Sequence, residues 1–328
     1  MTDLIRRVLI ATLLGVLLYG GFVIYSGYRD IEQTLLEFRW LSFGLALLLS
    51  STNYLLRFLK WEYYLNRLQV KGIRKSDSLA IFLSGFVLTI SPGKVGEVFK
   101  SAVLKRTHGV PTSRTAPIVV AERLTDVLAI VILITWGSLS FDGGFVWAGI
   151  GTGLVSVALT LILWERPSHW FIAQLRPRQR VARLAPKLEQ AFASLRILAN
   201  PAALPIPTAI SVVGWGCEAY AFYLLLEGLG AECTLGLATF FYSTSTLAGA
   251  VIPVPGGLGV TEAMIRGQLV GLGGTTTAVA TAAMILVRFA TLWWAVLVGF
   301  LALGWVQVRF PSLFKEPLDG ALPPANAS

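Results

Sequence analysis

The chain has 328 residues, of which 55% are hydrophobic and only 14% are charged, and its mean hydropathy is +0.69. This composition excludes an ordinary soluble domain and predicts a polytopic helical membrane protein with about six to eight spans. The net charge of +9 is typical of basic cytoplasmic loops that contact anionic headgroups, so nucleic acid is not an expected partner.

Six apolar segments of spanning length are predicted, in the order 8–26, 40–56, 117–139, 145–164, 203–226 and 277–304. Arg6 and Arg7 precede the first segment, but no convincing A-x-A site follows it, so an uncleaved anchor is expected. Two shorter apolar stretches, 79–91 and 236–254, each run into a Pro-Gly break. The predicted fold class is therefore an all-α polytopic membrane protein with about six full transmembrane helices and two re-entrant Pro-Gly hairpins.

The distribution of Lys and Arg predicts which side each loop faces. The stretches 57–78 and 165–200 are rich in both residues, whereas SFDGG (140–144) and EGLGAEC (227–233) have neither. Basic loops are expected in the cytoplasm, which also places both termini there. The stretch 79–91 has basic residues on either side and is too short to cross, so it is expected to enter and return as a hairpin at Pro92-Gly93 in ISPGKVGEVFK.

A second hairpin is predicted at AGAVIPVPGGLGVTEAMIRG, whose flanks lack Lys and Arg and therefore face outside. In both hairpins a Pro-Gly pair is followed by a glycine, a glutamate (Glu97 or Glu262) and a base one turn later. Each glutamate also precedes an arginine in the next apolar span by 26 residues, since 123 − 97 = 288 − 262. These matches predict an inverted-topology repeat. The alternative is that both Pro-Gly turns are ordinary loop punctuation.

The domain organisation follows from this repeat. Residues 1–140 are predicted to form the first membrane repeat, residues 145–308 the second, inverted repeat, and residues 309–328 a disordered tail. Two cysteines without a CxxC pattern and two distant histidines predict no metal site. No cofactor is expected, because GGLG lacks the context of a nucleotide-binding loop.

Charged residues at membrane depth are the candidate functional residues, because they are costly there unless they pair or line a cavity. Arg123 and Arg288 are the leading candidates for direct contact with substrate, because a guanidinium stays charged and can hold phosphate oxygens bidentately. Glu97 and Glu262 are expected to neutralise these arginines or to carry a coupling proton. Arg57 is expected either to snorkel to the interface or to face the site.

The predicted substrate-binding set is Lys94, Glu97, Lys100, Arg123, Glu262, Arg266 and Arg288. The predicted structural or coupling set is Pro92, Gly93, Gly96, Glu122, Asp126, Glu218, Pro255, Gly256, Gly257 and Gly259.

At SPGKVGEVFK, ERLTD and VPGGLGVTE the sequence resembles the flippase-like transmembrane region of lysylphosphatidylglycerol synthases, which includes the multiple peptide resistance factor of bacteria. The resemblance covers about residues 8–305. It implies a membrane fold with re-entrant helices and translocation of lipid between leaflets. Such synthases carry a C-terminal soluble aminoacyltransferase domain, and the printed sequence has none, so synthesis of lysyl-lipid is not expected. The motif positions that match the family are Pro92, Gly93, Gly96, Glu97, Glu122, Arg123, Asp126, Pro255, Gly256, Gly257, Gly259 and Glu262.

The sequence thus predicts a non-enzymatic lipid translocator of the bacterial inner membrane that moves an anionic or phosphate-bearing lipid. Candidate lipids are an aminoacyl-phospholipid, an unmodified phospholipid, a polyprenyl-phosphate sugar and a hopanoid-type lipid. A separate lipid-modifying enzyme and a second copy of the chain are further partners to consider. The alternatives are a membrane enzyme or accessory subunit acting on a polyprenyl-phosphate-linked lipid, and a small-ion or amino-acid transporter.

Overall fold

The computed structural model describes residues 28–91, 97–141, 185–252 and 254–311, with isolated positions at 21, 24, 143, 146, 149, 150 and 153. Within these ranges every regular element is helical, which confirms the all-α class. Most of the predicted spans 8–26 and 145–164 lies outside the described residues. The same holds for the turn 92–96 and for most of the predicted tail 309–328.

The helices take their bounds from simple local signals. Proline occupies the first position of two of them, where an N–H would have no intrahelical acceptor, and Gly109 ends another with a φ of 70°. Single turns of 3₁₀-helix occupy Gly85–Leu88 and Pro255–Gly257, and a π-helical segment, Phe289–Trp293, joins the last two helices. In chain order the helices are α1 (Tyr28–Leu36), α2 (Trp40–Arg67), α3 (Lys75–Ser84), α4 (Phe99–His108), α5 (Thr112–Thr115), α6 (Pro117–Ser138), α7 (Ala185–Leu198), α8 (Pro205–Gly228), α9 (Leu235–Val251), α10 (Val260–Gly271), α11 (Thr277–Arg288) and α12 (Trp294–Arg309).

Two described helical units are long and apolar enough to cross a membrane, namely α8 and the continuous run Thr277–Arg309. A third arises if α1 and α2, which meet at 86°, are counted as one bent span. Helix α6 has 22 residues but carries Glu122, Arg123 and Asp126 in its first half. The described helices therefore support an integral multi-pass protein. The count of six spans stays a prediction.

Packing between the two halves of the chain is reciprocal. The most extensive contact joins α2 to α8, the second predicted span of each half. Helix α3, which precedes the first predicted hairpin turn, packs on α12. Helix α9, which precedes the second, packs on α6. Glycines permit both approaches, because a Cβ at Gly137 would lie 2.7 Å from Gly236 O, and one at Gly299 would lie 2.5 Å from Val87 N. Two halves related by an approximate two-fold axis would produce this pattern. Their opposite orientation in a membrane stays a prediction.

The prediction that the basic stretch 57–78 forms a loop is wrong for its first residues. Helix α2 continues to Arg67, and the side chains of Arg57 and Lys60 are 9% and 0% exposed. Arg57 does not snorkel to an interface, since it meets Glu97 inside the protein. Each base has an acidic partner from another element, and that partner makes burial tolerable. Only the later bases, such as Lys71 and Arg74, lie beyond the end of the helix.

Candidate functional site

A cavity of about 130 Å³ lies where α2, α6, α8, α9 and the π-helical segment converge with the ends of both hairpins. A single water needs about 10–15 Å³ by this measure, so the cavity has room for roughly ten waters or one polar headgroup. Five charged side chains line it: Arg57, Arg123, Asp126, Glu218 and Arg288. The described part of the chain therefore forms a charged chamber between its helices.

The two predicted hairpins approach each other at this cavity. Gly256, in the second hairpin, has a φ of 61°, and a Cβ placed there would lie 3.5 Å from the Cα of Ile90 and 3.5 Å from Leu292 Cδ2. Ile90 directly precedes the first hairpin turn, whose residues Pro92, Gly93, Lys94 and Gly96 lie outside the described residues. Gly257 and Gly259 also have positive φ values, 67° and 87°. Glycine adopts this region without the penalty that a Cβ imposes, which explains the residue type at each turn position.

The first half of the chain contributes a carboxylate held between two arginines. Arg57 Nη2 donates to both oxygens of Glu97 at 3.4 Å, and Arg123 Nη2 donates to Glu97 Oε2 at 3.3 Å. Arg123 also meets Asp126 Oδ2 at 3.1 Å, one turn along α6. Glu97 is 1% exposed, whereas the Arg123 side chain is 26% exposed. Arg123 is thus the more accessible partner in this cluster.

The second half repeats the Glu–Arg pair in a tighter form. Arg288 Nε donates to Glu262 Oε1 at 2.6 Å, and Arg288 Nη2 donates to the Gly256 carbonyl at 2.7 Å. Glu262 Oε2 accepts from the backbone N–H of Gly259 at 2.7 Å, at the start of α10. Arg288 and Glu262 therefore tie the second hairpin turn to α11. The two arginines predicted as equals differ, because Arg288 also binds a backbone carbonyl, whereas the contacts of Arg123 within the described residues are with side chains.

Two predicted substrate-binding bases do not reach the cavity. Lys100 Nζ donates to Glu122 Oε2 at 2.6 Å and lies 4.7 Å and 5.0 Å from the ring centroids of Trp61 and Phe82. Both members of this pair are 1% exposed. Arg266, on α10, donates from Nε to Thr281 Oγ1 at 3.3 Å. Neither side chain is among the residues that line the chamber. Their predicted role in substrate binding stays a prediction.

Lys60 belongs to the buried charged cluster beside the cavity and was not among the residues predicted from the sequence, although its partner Asp126 was. Its ammonium donates to Asp126 Oδ1 at 2.6 Å and to Ser211 Oγ at 2.7 Å, which links α2, α6 and α8. Lys60 follows Arg57 by three residues, so both lie on one face of α2. That spacing was the available signal. It was hidden because the whole basic stretch was assigned to a loop.

Glu218 occupies a polar pocket of its own in the cavity wall. Asn53 Nδ2 donates to Glu218 Oε1 at 2.5 Å, and the Tyr242 hydroxyl donates to Oε2 at 2.5 Å. Tyr54, one residue after Asn53, donates its hydroxyl to the carbonyl of Thr291 at 2.8 Å, within the π-helical segment. Glu218 and Arg57 line the same chamber.

Comparison with known proteins agrees with the helical architecture. The chain is 21% identical over 285 residues to a UPF0104 membrane protein of Methanothermobacter thermautotrophicus, a match covering 79% of this chain and 82% of that protein. Residues 12–299 match the family described as the lysylphosphatidylglycerol synthase TM region. The matched region contains both hairpins, α2, α6, α8 and the cavity between them. The chain therefore belongs to the lysylphosphatidylglycerol synthase TM region family.

Proposed function

We propose that this chain is a lipid translocator that moves a phosphate-bearing lipid between the leaflets of the cell's inner membrane, with the headgroup passing through the charged cavity. The observation that carries the proposal is the convergence of Arg57, Arg123 and Arg288 on one chamber between two hairpins. Non-enzymatic transport is favoured because each arginine that lines the cavity is held in an ion pair with a buried acid. Such pairs suit reversible binding of an anion.

Phosphate recognition follows from the chemistry of the guanidinium group. It is charged at every accessible pH and offers parallel N–H donors that fit two phosphate oxygens. Arg57 and Arg123 share one carboxylate at 3.3–3.4 Å, so neither makes a short contact with it. A phosphate can replace Glu97 as the partner of Arg123 while Glu97 keeps Arg57. Arg288 supplies positive charge from the other half of the chain without having to move.

The surroundings of the cavity suit a lipid whose acyl chains remain in the bilayer. Helix α2 exposes Leu41, Leu48, Leu55 and Leu59, which recur at intervals of seven and four residues and share one face. Arg57 and Lys60 lie on the buried side of the same helix. A lipid would then place its polar headgroup in the charged chamber and its acyl chains along such apolar helix faces.

Reconstitution tests this proposal directly. Arg123→Gln is the informative variant, because Glu97 keeps Arg57 and Asp126 keeps Lys60 as partners, so the fold should be retained. In proteoliposomes, movement of a fluorescent phosphatidylglycerol to the outer leaflet should be fast with the parent protein and lost with Arg123→Gln. Arg123→Lys should be impaired as well, because a point charge cannot replace bidentate contacts.

The matched control is Arg39→Gln, which removes an arginine from an exposed pair with Glu227 away from the cavity. This variant should move lipid at the parent rate. A folded Arg123→Gln protein with near-normal transport would show that the cavity is not the headgroup route.

A further inference from the structure

Within the described ranges of the chain, Glu218 differs from the other acids around the cavity in contacting no basic side chain. Among the described residues its oxygens contact only the Asn53 amide and the Tyr242 hydroxyl, each at 2.5 Å, although the side chain is only 5% exposed. By contrast Glu97 meets two arginines, Asp126 meets Lys60 and Arg123, and Glu262 meets Arg288. A buried carboxylate without a cation is costly, so this arrangement calls for a reason.

The hydrogen-bond partners of Glu218 suit both of its protonation states. A tyrosine hydroxyl donates to a carboxylate and can equally accept from a carboxylic acid. Thr291 lies beside Tyr242. The Thr291 hydroxyl donates to the Val287 carbonyl at 2.7 Å, so its oxygen can accept the Tyr242 proton when Glu218 donates. The Asn53 amide continues to donate to Oε1, which remains a carbonyl oxygen. Gaining a proton therefore leaves no polar group of this pocket unsatisfied.

Charge balance links this proton to the headgroup. Among the described residues of this cluster, the bases Arg57, Lys60, Arg123 and Arg288 balance the acids Glu97, Asp126, Glu218 and Glu262, four against four. A phosphodiester that enters the cavity adds one negative charge in a medium of low dielectric, where an uncompensated charge is unfavourable. Protonation of any paired acid would leave a base unpaired. Protonation of Glu218 would not.

We propose that Glu218 takes up one proton when an anionic headgroup binds in the cavity, so that lipid binding and proton binding are linked. This inference rests on the proposed function and adds to it the ion that accompanies the lipid. The carboxylate and a proton from water form a carboxylic acid, and no other bond changes. By reciprocity, the lipid strengthens proton binding by the same factor by which the proton strengthens lipid binding. The charged and titratable groups around Glu218 are Tyr54, Arg57, Arg123, Asp126, Tyr242 and Arg288 from the neighbouring helices and Cys217 from its own.

Calorimetry on the full-length protein in detergent tests the linkage. The probe is dihexanoyl phosphatidylglycerol, whose phosphodiester keeps one charge from mildly acidic to mildly alkaline pH. Titrations in two buffers of different ionisation enthalpy give the number of protons taken up per lipid bound. The parent protein should take up about one proton, and its affinity should fall by up to about tenfold per pH unit as pH rises. Glu218→Gln should bind the probe with no proton uptake and with an affinity that does not depend on pH.

Glu227→Gln is the matched control, because Glu227 is on the same helix and is exposed, and it should keep the proton uptake. Should Glu218→Gln fail to fold, infrared difference spectra of the parent protein give a second measurement. A band of a protonated carboxyl group should then appear on addition of the probe. Binding without proton uptake, or uptake that persists in Glu218→Gln, would overturn the linkage and leave the proposed function standing. Failure of any anionic lipid to bind would overturn both.

Discussion

Glu97 is the residue on which most of the first charged cluster depends. It is the carboxylate for Arg57 and Arg123 together, and its side chain is 2% exposed. Glu97→Gln removes the acid that Arg57 and Arg123 share. After Arg123→Gln, by contrast, every acid of the cluster still contacts a base. Breaking a buried ion pair costs about 3–5 kcal/mol. Glu97→Gln should therefore lower the melting temperature of the detergent-solubilised protein clearly more than Arg123→Gln does.

The comparison is informative because both variants change one member of the same contact to the same neutral side chain. An equal loss of thermal stability would mean that Arg57 does not depend on Glu97.

The pair of Lys100 and Glu122 should be dispensable for transport, since it lies outside the cavity. Lys100→Met alone should destabilise the protein, because Glu122 then stays buried without its base. The double variant Lys100→Met with Glu122→Gln should recover part of that stability and should move fluorescent phosphatidylglycerol at close to the parent rate. A folded double variant without transport would restore the substrate-binding role that the sequence predicts for Lys100.

At the scale of elements, the second hairpin depends on a glycine that no other residue can replace without strain. Gly256 has a φ of 61° and faces Ile90 of the first hairpin. Gly256→Ala should cost about 1–2 kcal/mol from the left-handed backbone conformation, because the added Cβ would meet Ile90 only at an ordinary contact distance. Gly267→Ala is the control, because Gly267 lies within α10 and a Cβ there meets nothing within 4 Å. Thermal melting should separate the two variants, with Gly267→Ala as stable as the parent or slightly more so. Equal stability of both would show that the turn does not need glycine.

The sequence predicts some elements well and others poorly, for physical reasons. The predicted segments 117–139 and 203–226 correspond to Pro117–Ser138 and Pro205–Gly228, because apolar length and an initial proline are local signals. The 26-residue interval also leads to the two Glu–Arg contacts. The end of α2 is missed because buried Arg57 and Lys60 look like loop residues until their partners are known. Those partners lie 40 and 66 residues further along the chain, beyond the reach of any local pattern. That the cavity residues contact substrate stays a prediction.

At the scale of the whole molecule, the opposite orientation of the two halves is open to a labelling test. Gly230 has a φ of 71°, so the exposed neighbouring residue Glu232 is the better site for a cysteine. Cys217 and Cys233 are first replaced by serine, so that only the introduced cysteine can be labelled. Burial raises the pKa of the Cys233 thiol to about 11, which by itself would slow the reaction of that thiol. In cells, Glu232→Cys should react with a membrane-impermeant thiol reagent, and Ser76→Cys should react only after lysis. Reaction of both in intact cells would rule out the inverted arrangement.

The separation in sequence between buried bases and their acids has a consequence for how the protein is made. Helix α2 carries Arg57 and Lys60, and their partners, Glu97 and Asp126, are translated 40 and 66 residues later. Each base costs about 2.5–3.5 kcal/mol when it enters hydrocarbon alone. A nascent chain that ends before α6 would therefore hold α2 at the translocon and would not release it into lipid. Emergence of α6 would supply Asp126 and allow the two helices to enter the lipid together. The pairing of these charges therefore depends on the order in which the helices are synthesised.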